Sequence, residues 1–484
     1  MSNKITSLEP KVLWKHFYEL TQIPRPSKKE GKAVNFVKEF GSRLGLETLV
    51  DDTGNVIIRK PASKGYENQP GVILQSHLDM VPQKNSDVEH DFERDPISAY
   101  IDGEWVKARS TTLGADNGIG VAAALAILES ASIVHGPLEA LFTIDEETGM
   151  TGALNLKKGM LKGKVLLNMD SEDEGELIIG CAGGMNTSGT LPVTMVPVPA
   201  GLAGYKLGLT GLRGGHSGID INLGRGNANK LLFRFLYHAA RAHGIRMVSV
   251  DGGSVRNAIP RESFAVVAVP SGSKASFLEA VGKYEDIFRK ELVDVEPDLK
   301  FTVQQVPLPD RLMEPGVQDR LIKLVCGMPN GVIRMSTETP GIIETSSNLA
   351  IVRSGKDTIE LLCLLRSSID TAKEDLGYAI QSVMELAGAQ VVHDGSYPGW
   401  KPDIKSPLLQ TMKEVYRKRF GKEPEIKVIH AGLECGIIGD VCSGLDMISF
   451  GPTIRHPHSP DEKVDIASVG KFWEYLVETL KNIH

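Results

Sequence analysis

The stretch GVILQSHLDM at residues 71–80 is a short apolar run that ends on a histidine and an aspartate. Two later runs have the same character: LEALFTID at 138–145 leads into a pair of glutamates, and KVLLNMD at 164–170 ends on an aspartate. Short apolar runs bounded by polar residues predict buried strands. Segments of helical length and periodicity, 27–44 and 117–131, alternate with them. This alternation predicts an α/β fold with a mostly parallel sheet and flanking helices.

The length and composition of the chain predict a multidomain soluble protein. With 484 residues, it exceeds the size at which single hydrophobic cores stop growing, and 41% hydrophobic and 24% charged residues are ordinary for a globular protein. A formal net charge of -7 argues against nucleic acid as a partner. The most apolar stretch, 121–128, is too short to span a membrane. Five cysteines without a regular pattern predict reduced thiols, and we expect a cytoplasmic protein.

A segment of different character interrupts the α/β pattern. It lies between the glycine- and proline-rich sequences GCAGGMN and HDGSYPGWKPD, which are potential hinges. Residues 187–396 are therefore predicted to form an inserted α+β lid domain, and residues 1–186 and 397–484 to form the catalytic domain. Within the insertion, a strand followed by a helix is predicted twice, at 264–292 and 359–387. This repetition fits either two related subdomains or the ordinary alternation of an α+β domain.

Histidines and carboxylates follow the predicted strands. In an open α/β sheet, functional residues gather in a crevice at the carboxyl ends of the strands. We therefore expect these side chains to lie together. Nitrogen and oxygen ligands without a thiolate suit zinc, cobalt or manganese. The candidate metal ligands are His77, Asp116, Glu147, Asp170 and His458.

Each candidate ligand also has a structural interpretation. A histidine after a strand is often only hydrogen-bonded, and adjacent glutamates are usual on a solvated surface. Asp116 in TTLGADNG could cap the helix that follows it, and Asp170 could belong to the acidic turn SEDEGE. The recurrence of such residues at strand ends favours one shared metal site over five separate structural roles.

Two further acidic residues have positions that suit catalysis. Asp79 lies two residues after His77, and residues two apart on a strand point to the same side. Asp79 can therefore bind the distal imidazole nitrogen and orient the ring. Glu146 and Glu147 are adjacent, so the backbone must bend there if both serve one site. A division of labour follows, in which one glutamate binds metal and the other transfers protons.

Several motifs together resemble those of the aminoacyl-histidine dipeptidases, a subfamily within the wider group of co-catalytic zinc aminoacylases and carboxypeptidases. HLD and DEE by themselves indicate only the wider group, whereas HAGLEC together with HSPDE indicates the subfamily. The matching motifs extend from residue 76 to residue 462 and include the insertion. They are SHLDMVP, TTLGADNGIG, TIDEETGM, LNMDSEDEGE, GLRGGHSG, RNAIPRE, HAGLECG and GPTIRHPHSPDE.

The resemblance implies a division of the ligands between two divalent metal ions. Asp116 would bridge both ions. His77 and Asp170 would complete one site, and Glu147 and His458 would complete the other. The ions would be zinc, with cobalt or manganese as alternatives, because imidazole and carboxylate accept all three. The resemblance also implies a cis peptide bond after Asp116.

For catalysis, the resemblance implies that Asp79 orients the metal-binding histidine and that Glu146 is the general base. Two neighbouring divalent ions lower the pKa of a bridging water. Glu146 can then remove its proton as the hydroxide attacks the amide carbonyl, and return that proton to the leaving amine. His216 in GLRGGHSG is expected to stabilise the oxyanion. By itself, that motif would indicate only a tight turn with an exposed histidine.

Substrate contacts are expected from the insertion. Arg366 in CLLRSS suits a substrate carboxylate, because guanidinium binds carboxylate bidentately, although a surface arginine on a strand would look the same. Asn257 and Gly432 are further candidates. In relatives with a short insertion, the histidine equivalent to His216 completes the site of a partner subunit. The long insertion here could supply it within one chain, so a monomer and a homodimer both remain open.

The residues therefore predict hydrolysis at a metal pair, and the resemblance implies a metallodipeptidase that hydrolyses the peptide bond of dipeptides, preferentially X-His such as β-alanyl-histidine. An aminoacylase, a deacetylase or a tripeptidase would use the same metal centre. A non-catalytic peptide-binding protein is disfavoured, because the ligands, the orienting aspartate and the base are all present. The glycines of GADNGIG do not indicate a nucleotide loop, since neither GK[ST] nor the full GxGxxG spacing occurs.

Overall fold

The computed structural model of the chain describes residues 4–337 and 339–484. It divides into two compact units. The first unit comprises the chain up to Cys181 together with Trp400–Val428 and Leu433–His484, and the second comprises Ala182–Gly399 together with Ile429–Gly432. Among the described residues, none of the helices combines the length and the apolar character that a membrane span requires.

The helices and strands have the following bounds. The helices are α1 (Lys11–Thr21), α2 (Gly31–Arg43), α3 (Ala115–Glu129), α4 (Glu146–Gly149), α5 (Thr151–Leu154), α6 (Ala228–Ala242), α7 (Lys274–Glu291), α8 (Pro315–Gly327), α9 (Asp370–Leu386), α10 (Pro407–Phe420), α11 (Glu434–Val441) and α12 (Ile466–Asn482), with short 3-10 helices at Lys4–Ser7 and Ser271–Ser273. The strands are β1 (Glu47–Val50), β2 (Val56–Lys60), β3 (Val72–His77), β4 (Ala99–Asp102), β5 (Trp105–Ala108), β6 (Leu138–Thr143), β7 (Val165–Asn168), β8 (Glu176–Cys181), β9 (Gly183–Pro192), β10 (Met195–Pro197), β11 (Leu202–Thr210), β12 (Arg246–Gly252), β13 (Ser263–Pro270), β14 (Lys300–Val306), β15 (Arg311–Met313), β16 (Gly331–Met335), β17 (Ile343–Ser354), β18 (Thr358–Ser367), β19 (Gln390–Tyr397), β20 (Glu425–Ile429), β21 (Asp446–Ser449), β22 (Ile454–Arg455) and β23 (Lys463–Asp465).

The first unit is built on an eight-stranded sheet in the order β1-β2-β6-β3-β7-β21-β8-β20. The four central strands are parallel, as the apolar runs predict. β3, β6 and β7 are buried along their whole length, which explains why apolar residues run through them without alternation. On the flanks, β2 pairs antiparallel with β1 and β6, and β8 pairs antiparallel with β21. The sheet is therefore parallel at its centre and mixed overall.

The helices of the first unit cover this sheet with apolar faces. α3 is buried from Ala115 to Leu128, and its alanines allow close packing against α1 and β3. α12 has the amphipathic pattern of a surface helix, with Val469, Phe472 and Leu476 buried on one face, and it packs against α10. A small antiparallel sheet, β22-β23-β5-β4, completes the unit.

The second unit is an antiparallel sheet in the order β14-β11-β13-β12-β17-β18-β9-β19, with β16 paired to β17. The two predicted strand–helix pairs correspond to β13 with α7 and to β18 with α9. Pairing between β12 and β17 joins both halves in one sheet. The described residues of the repetition therefore lie within one compact unit.

The bounds of the second unit differ from the predicted insertion at 187–396. β9 begins at Gly183, and Tyr397 of β19 pairs with Gly184, so the sheet continues through both predicted hinges. The stretch Ile429–Gly432 also belongs to the second unit, although the sequence predicted it within the catalytic domain. There, the amide of Ala182 donates hydrogen bonds to the carbonyls of Ile429 and Ala431.

Candidate metal centre

The structure brings all five predicted metal ligands together at the carboxyl ends of the central strands. His77 is the last residue of β3, Glu147 lies in α4 just beyond β6, and Asp170 follows β7 by two residues. Asp116 lies at the start of α3, where its backbone departs from helical geometry. The Asp116–Asn117 peptide bond is cis, as the resemblance implies.

The His77 side chain lies between two carboxylates. Its Nε2 atom is 3.2 Å from Oδ1 of Asp116 and 3.2 Å from Oδ1 of Asp170. The ring is 1% exposed. Burial disfavours the charged imidazole, but Asp170, Asp116 and Asp79 outweigh it and raise the pKa of His77 well above its usual value. This side of the centre is therefore rich in negative charge.

His458 occupies the equivalent position on the other side of Asp116. Its Nε2 atom lies 3.3 Å from Oδ2 of Asp116 and 2.9 Å from Oε2 of Glu147. Hydrogen bonding to these two carboxylates raises the pKa of His458 to about 11. The two oxygens of Asp116 thus face two different imidazoles, which is the arrangement that a bridging carboxylate requires.

The side chains fit a pair of metal sites that share Asp116. Ligand atoms of His77, Asp116 and Asp170 lie within 4.8 Å of one another, and so do those of Asp116, Glu147 and His458. Within the described residues, the buried Oε1 of Glu147 has no hydrogen-bond partner, and Oδ1 of Asp170 has only its ion-pair contact with His77. Such oxygens are costly unless a cation satisfies them, and imidazole with carboxylate is a donor set that zinc accepts.

Asp79 is placed to orient the His77 ring. Its Oδ1 atom lies 3.2 Å from Nδ1 of His77. Its carboxylate also accepts hydrogen bonds from the amides of Glu146 (3.1 Å) and Glu147 (3.2 Å) and from the hydroxyl of Ser27 (2.8 Å). Burial opposes ionisation of Asp79, but these hydrogen bonds, led by that to His77, lower its pKa. Asp79 thus connects the ends of β3 and β6.

The backbone bends at the glutamate pair, as the sequence requires. Asp145 has a left-handed conformation with φ of 53°, and this turn allows both Glu146 and Glu147 to reach the centre. Ligand atoms of Glu146 and Glu147 lie within 4.8 Å of one another and of His77. Burial raises the pKa of Glu146 well above its usual value, assisted by Asp170. Glu146 therefore combines proximity to the centre with the proton affinity that a general base needs.

Sequence reasoning gave no role to several buried charged residues of this unit, among them Glu434, Glu462 and Arg25. Glu434 of the motif HAGLECG accepts hydrogen bonds from Gln75 and Thr143, each at 2.6 Å. Glu462 of the motif HSPDE and Arg25 bind backbone groups near the ligands. The motifs were a signal for both glutamates. Arg25 had no signal, because an arginine before a proline is unremarkable in sequence.

The predicted substrate residues belong to the second unit, where Arg366 contacts the predicted catalytic residue His216. Arg366 is 5% exposed. Its Nη2 atom lies 3.4 Å from Nε2 of His216, Nη1 donates to the hydroxyl of Tyr397 (3.2 Å), and Nε donates to that of Ser217 (3.5 Å). Within the described part of the chain, no carboxylate forms an ion pair with Arg366. This guanidinium is therefore buried and does not lie on the surface.

A second histidine that the sequence did not single out, His430, lies in the same cluster. Its Nε2 atom is 2.7 Å from the hydroxyl oxygen of Ser346. Burial and the charge of Arg366 lower the pKa of His216 to about 4 and that of His430 to about 3. Both imidazoles are consequently neutral near pH 7. Gly432, two residues after His430, belongs to this unit as well.

His216 and Asn257 line a groove of the second unit with a volume of about 640 Å³. The carbonyl of Asn257 accepts a hydrogen bond from the amide of Ser217 (2.8 Å), which holds the loop of His216 against that of Asn257. Arg213 and Arg261 also line the groove. Its polar and basic lining suits a small charged ligand.

A parallel-centred α/β sheet that collects imidazoles and carboxylates around a shared aspartate is the arrangement of a metal-dependent hydrolase. The model of peptidase family M20/M25/M40 matches residues 73–482, and the chain belongs to this family. It is therefore a hydrolase that acts on peptide bonds.

Individual relatives agree with this assignment. The chain is 46% identical over 481 residues to the cytosol non-specific dipeptidase of Escherichia coli, with 99% of each chain covered. Its structure matches that of the aminoacylhistidine dipeptidase of Vibrio alginolyticus with a TM-score of 0.94 and 48% identity, over 100% of this chain and 99% of the other. The aminopeptidase PepT of Bacillus cereus shares the fold, with a TM-score of 0.62 and 17% identity over 98% and 99% of the two chains.

Proposed function

We propose that the chain is a dipeptidase with two metal ions, which hydrolyses dipeptides and prefers those with a carboxyl-terminal histidine, such as β-alanyl-histidine. The observation that carries the proposal is the position of Asp116, whose two carboxylate oxygens each face a different imidazole. The choice of a dipeptide substrate is supported by the two similar dipeptidases and by the buried guanidinium of Arg366, which pairs with no carboxylate of the described residues.

One ion would be held by His77 and Asp170. The other ion would be held by Glu147 and His458, and Asp116 would bind both ions. We propose zinc, with cobalt and manganese as alternatives, because these metals accept imidazole and carboxylate. When bound, the ions would polarise the scissile carbonyl and lower the pKa of water. Asp79 holds the His77 ring in one orientation and one tautomer, since its carboxylate lies at the opposite ring nitrogen.

Glu146 is proposed as the group that moves the proton. Burial raises the pKa of Glu146, which favours transfer of a proton to its carboxylate. The same carboxyl group can then deliver that proton to the amine as the peptide bond breaks. The Glu146 amide is held by Asp79, so the base and the ring-orienting aspartate are fixed to each other.

The second unit is proposed to recognise the substrate. Arg366 would bind the substrate carboxylate, because a buried guanidinium without an acidic partner gains most from an anion. Its contact with His216 places a neutral imidazole beside that anion. A neutral imidazole can donate a hydrogen bond, so His216 would stabilise the oxyanion. Asn257 and Gly432 are proposed as further substrate contacts.

A substrate panel combined with metal analysis tests this proposal. The purified protein, loaded with zinc, cobalt or manganese in turn, is incubated with β-Ala-His, Gly-His, a tripeptide and an N-acetyl amino acid, and free histidine and amino acids are quantified. We expect turnover of the first two and two bound ions per chain. Turnover restricted to the tripeptide or the acetylated amino acid would replace the dipeptidase with a tripeptidase or an aminoacylase or deacetylase.

We also propose a cytoplasmic location, in keeping with the word cytosol in the name of the Escherichia coli relative. The proposed partners are small peptides.

We propose a homodimer as a possible state of the chain, and mixing His216→Ala and Glu146→Gln proteins, each expected to be inactive by itself, tests it. Recovery of activity means that His216 acts on a partner subunit. Persistent inactivity, with a monomeric mass by light scattering, means that it acts within its own chain.

A further inference from the structure

Two buried charged side chains outside the ligand set bind the backbone of the loops that carry the ligands. Arg25, in the segment after α1, is 1% exposed, and Glu462, four residues after His458, is 2% exposed. Neither forms a salt bridge at its charged end within the described residues. Their side chains form hydrogen bonds to main-chain groups. This is unusual, because buried charged residues are normally paired with an opposite charge.

The Glu462 carboxylate accepts four consecutive amide hydrogen bonds. Oε2 binds the amides of Leu113 (2.7 Å) and Gly114 (2.9 Å), and Oε1 binds those of Ala115 (2.7 Å) and Asp116 (3.2 Å). The last of these amides belongs to the proposed bridging residue itself. The four amides converge on one carboxylate, and this carboxylate in turn fixes the loop. Glu462 thus ties the chain that follows His458 to the chain that carries Asp116.

Arg25 joins the same loop to the end of β3. Its Nη1 atom donates to the carbonyls of Leu78 and Asp79, both at 2.9 Å, and Nη2 donates to the carbonyl of Gly114 at 2.5 Å. Gly114 has φ of 70°, and a Cβ atom there would lie 2.6 Å from Nη2. A side chain at this position would therefore displace the guanidinium, so a glycine is required where Arg25 reaches the loop.

The neighbours of Arg25 strengthen this connection. The carbonyl of Arg25 accepts a hydrogen bond from the amide of Met80 (3.1 Å), and the hydroxyl of Ser27 donates to the Asp79 carboxylate (2.8 Å). The segment 25–27 therefore holds both the backbone and the functional side chain that follow His77.

We infer that Arg25 and Glu462 are positioning residues of the metal centre, which fix the distances between His77, Asp116 and His458 before metal binds. This inference rests on the proposed function, since it presupposes that these residues are ligands. The physical reason is that one bridging carboxylate must face two imidazoles at once. Glu462 fixes the position of the Asp116 loop relative to the His458 loop. Arg25 fixes the position of the same Asp116 loop relative to the end of β3.

The variants Glu462→Gln and Arg25→Lys test the inference without large changes in volume. Glutamine has one acceptor oxygen and places an NH2 group against amide donors, so at least part of the four-amide contact is lost. Lysine keeps the charge but cannot reproduce the planar fork that binds three carbonyls. Glu462→Asp keeps the carboxylate and is a milder change. We expect its zinc affinity to lie between that of Glu462→Gln and that of the unaltered protein.

Glu139→Gln is a matched control. Glu139 is 6% exposed, accepts amide hydrogen bonds from Lys162 (2.6 Å) and Gly163 (2.8 Å), pairs with the Arg59 guanidinium (2.8 Å), and lies at the opposite end of β6 from Glu146. Its loss should affect folding in a similar way without altering the ligand loops.

The measurement is calorimetric titration of the apo protein with zinc, alongside thermal unfolding of the same apo samples and kcat at rising zinc concentration. We expect Glu462→Gln and Arg25→Lys to weaken binding of both ions by about 10- to 100-fold, as loss of groups that support metal ligands does. Excess zinc should restore much of kcat, and Glu139→Gln should bind zinc as the unaltered protein does.

Unchanged zinc affinity in Arg25→Lys and in the folded Glu462 variants would overturn the inference, and so would equal weakening in Glu139→Gln. If Glu462→Gln fails to fold, Glu462→Asp and Arg25→Lys provide the same test. Failure of the unaltered protein to bind two ions would instead contradict the proposed function.

Discussion

The two histidine clusters of the molecule, one in each unit, have opposite electrostatic surroundings. In the first unit, His77 and His458 face carboxylates, which raise the pKa of His458 to about 11. In the second unit, burial and the Arg366 guanidinium lower the pKa of His216 to about 4 and of His430 to about 3. Without bound metal, imidazole is thus held charged in the first cluster and neutral in the second.

This difference indicates what each cluster can bind. The first has more buried carboxylates than its two imidazoles can neutralise, so added cations would relieve the repulsion between carboxylates. The second has a buried guanidinium that no carboxylate of the described chain neutralises, so an anion would relieve the cost of burying that charge. Two divalent cations have the charge that the first cluster favours, and a substrate carboxylate has the charge that the second cluster favours.

The largest effect is expected from Glu146→Gln, which tests whether every carboxylate of the first cluster serves the metal. A glutamine cannot take a proton from water, so kcat for Gly-His should fall on the order of 10²- to 10⁴-fold. Binding of two zinc ions, measured by calorimetry, should be retained. Loss of one ion in this variant, with Glu147→Gln still binding both, would exchange the roles of the two glutamates.

Asp116→Ala sharpens the comparison by removing the carboxylate that both imidazoles share. Because its two oxygens face different histidines, zinc affinity at both sites should fall together, on the order of 100-fold or more, beyond the loss typical of supporting groups. Asp170→Ala serves as the comparison, since of the two imidazoles Asp170 forms an ion pair with that of His77, and its loss should weaken one site more than the other. A loss confined to one ion in Asp116→Ala would argue against a bridge.

Arg366→Lys tests the anion preference of the second cluster. Lysine keeps the charge but loses the bidentate geometry, so KM for Gly-His should rise by about 10- to 100-fold, the equivalent of one or two charge-assisted hydrogen bonds. The carboxyl-terminal amide of the same dipeptide should show little change, because it has no carboxylate to lose. An equal rise for both substrates would mean that Arg366 acts only through the structure of the cluster.

The central part of the fold could be predicted from sequence because burial leaves a direct record there. β3, β6 and β7 are apolar throughout, and their carboxyl ends necessarily meet at one edge of the sheet. His77, Glu147 and Asp170 could therefore be grouped from the order of residues alone. Asp79 followed from its spacing to His77, since that spacing places both side chains on one side of the strand.

The remaining features depend on contacts between distant parts of the chain, which no local pattern records. His430 joins the second unit through Ser346, 84 residues away in sequence, and the predicted boundary therefore missed Ile429–Gly432. Arg366 looks the same on a surface strand and on a buried one. Arg25 and Glu462 act through backbone groups of remote loops, so neither periodicity nor spacing could reveal their role.

The smallest effect concerns the acid sensitivity of the second cluster. His430 is expected to titrate at about 3 in the folded protein but near 6.5 when unfolded. Below pH 6.5, the unfolded chain therefore binds a proton that the folded protein does not, and stability falls as the pH drops towards 3. At pH 5, His430 should reduce the free energy of unfolding by about 1–2 kcal/mol relative to pH 7.5.

His430→Gln should remove this part of the acid sensitivity, because glutamine can still pair with the Ser346 hydroxyl but does not titrate. Urea unfolding of the apo protein at pH 5 and pH 7.5 measures the difference for each variant, with His393→Gln on the exposed strand β19 as the control. The loss between the two pH values should shrink in His430→Gln and stay unchanged in His393→Gln. If His430→Gln loses as much stability in acid as the unaltered protein, the imidazole is not held neutral by Arg366, and the electrostatic contrast between the two clusters would then depend on His216 alone.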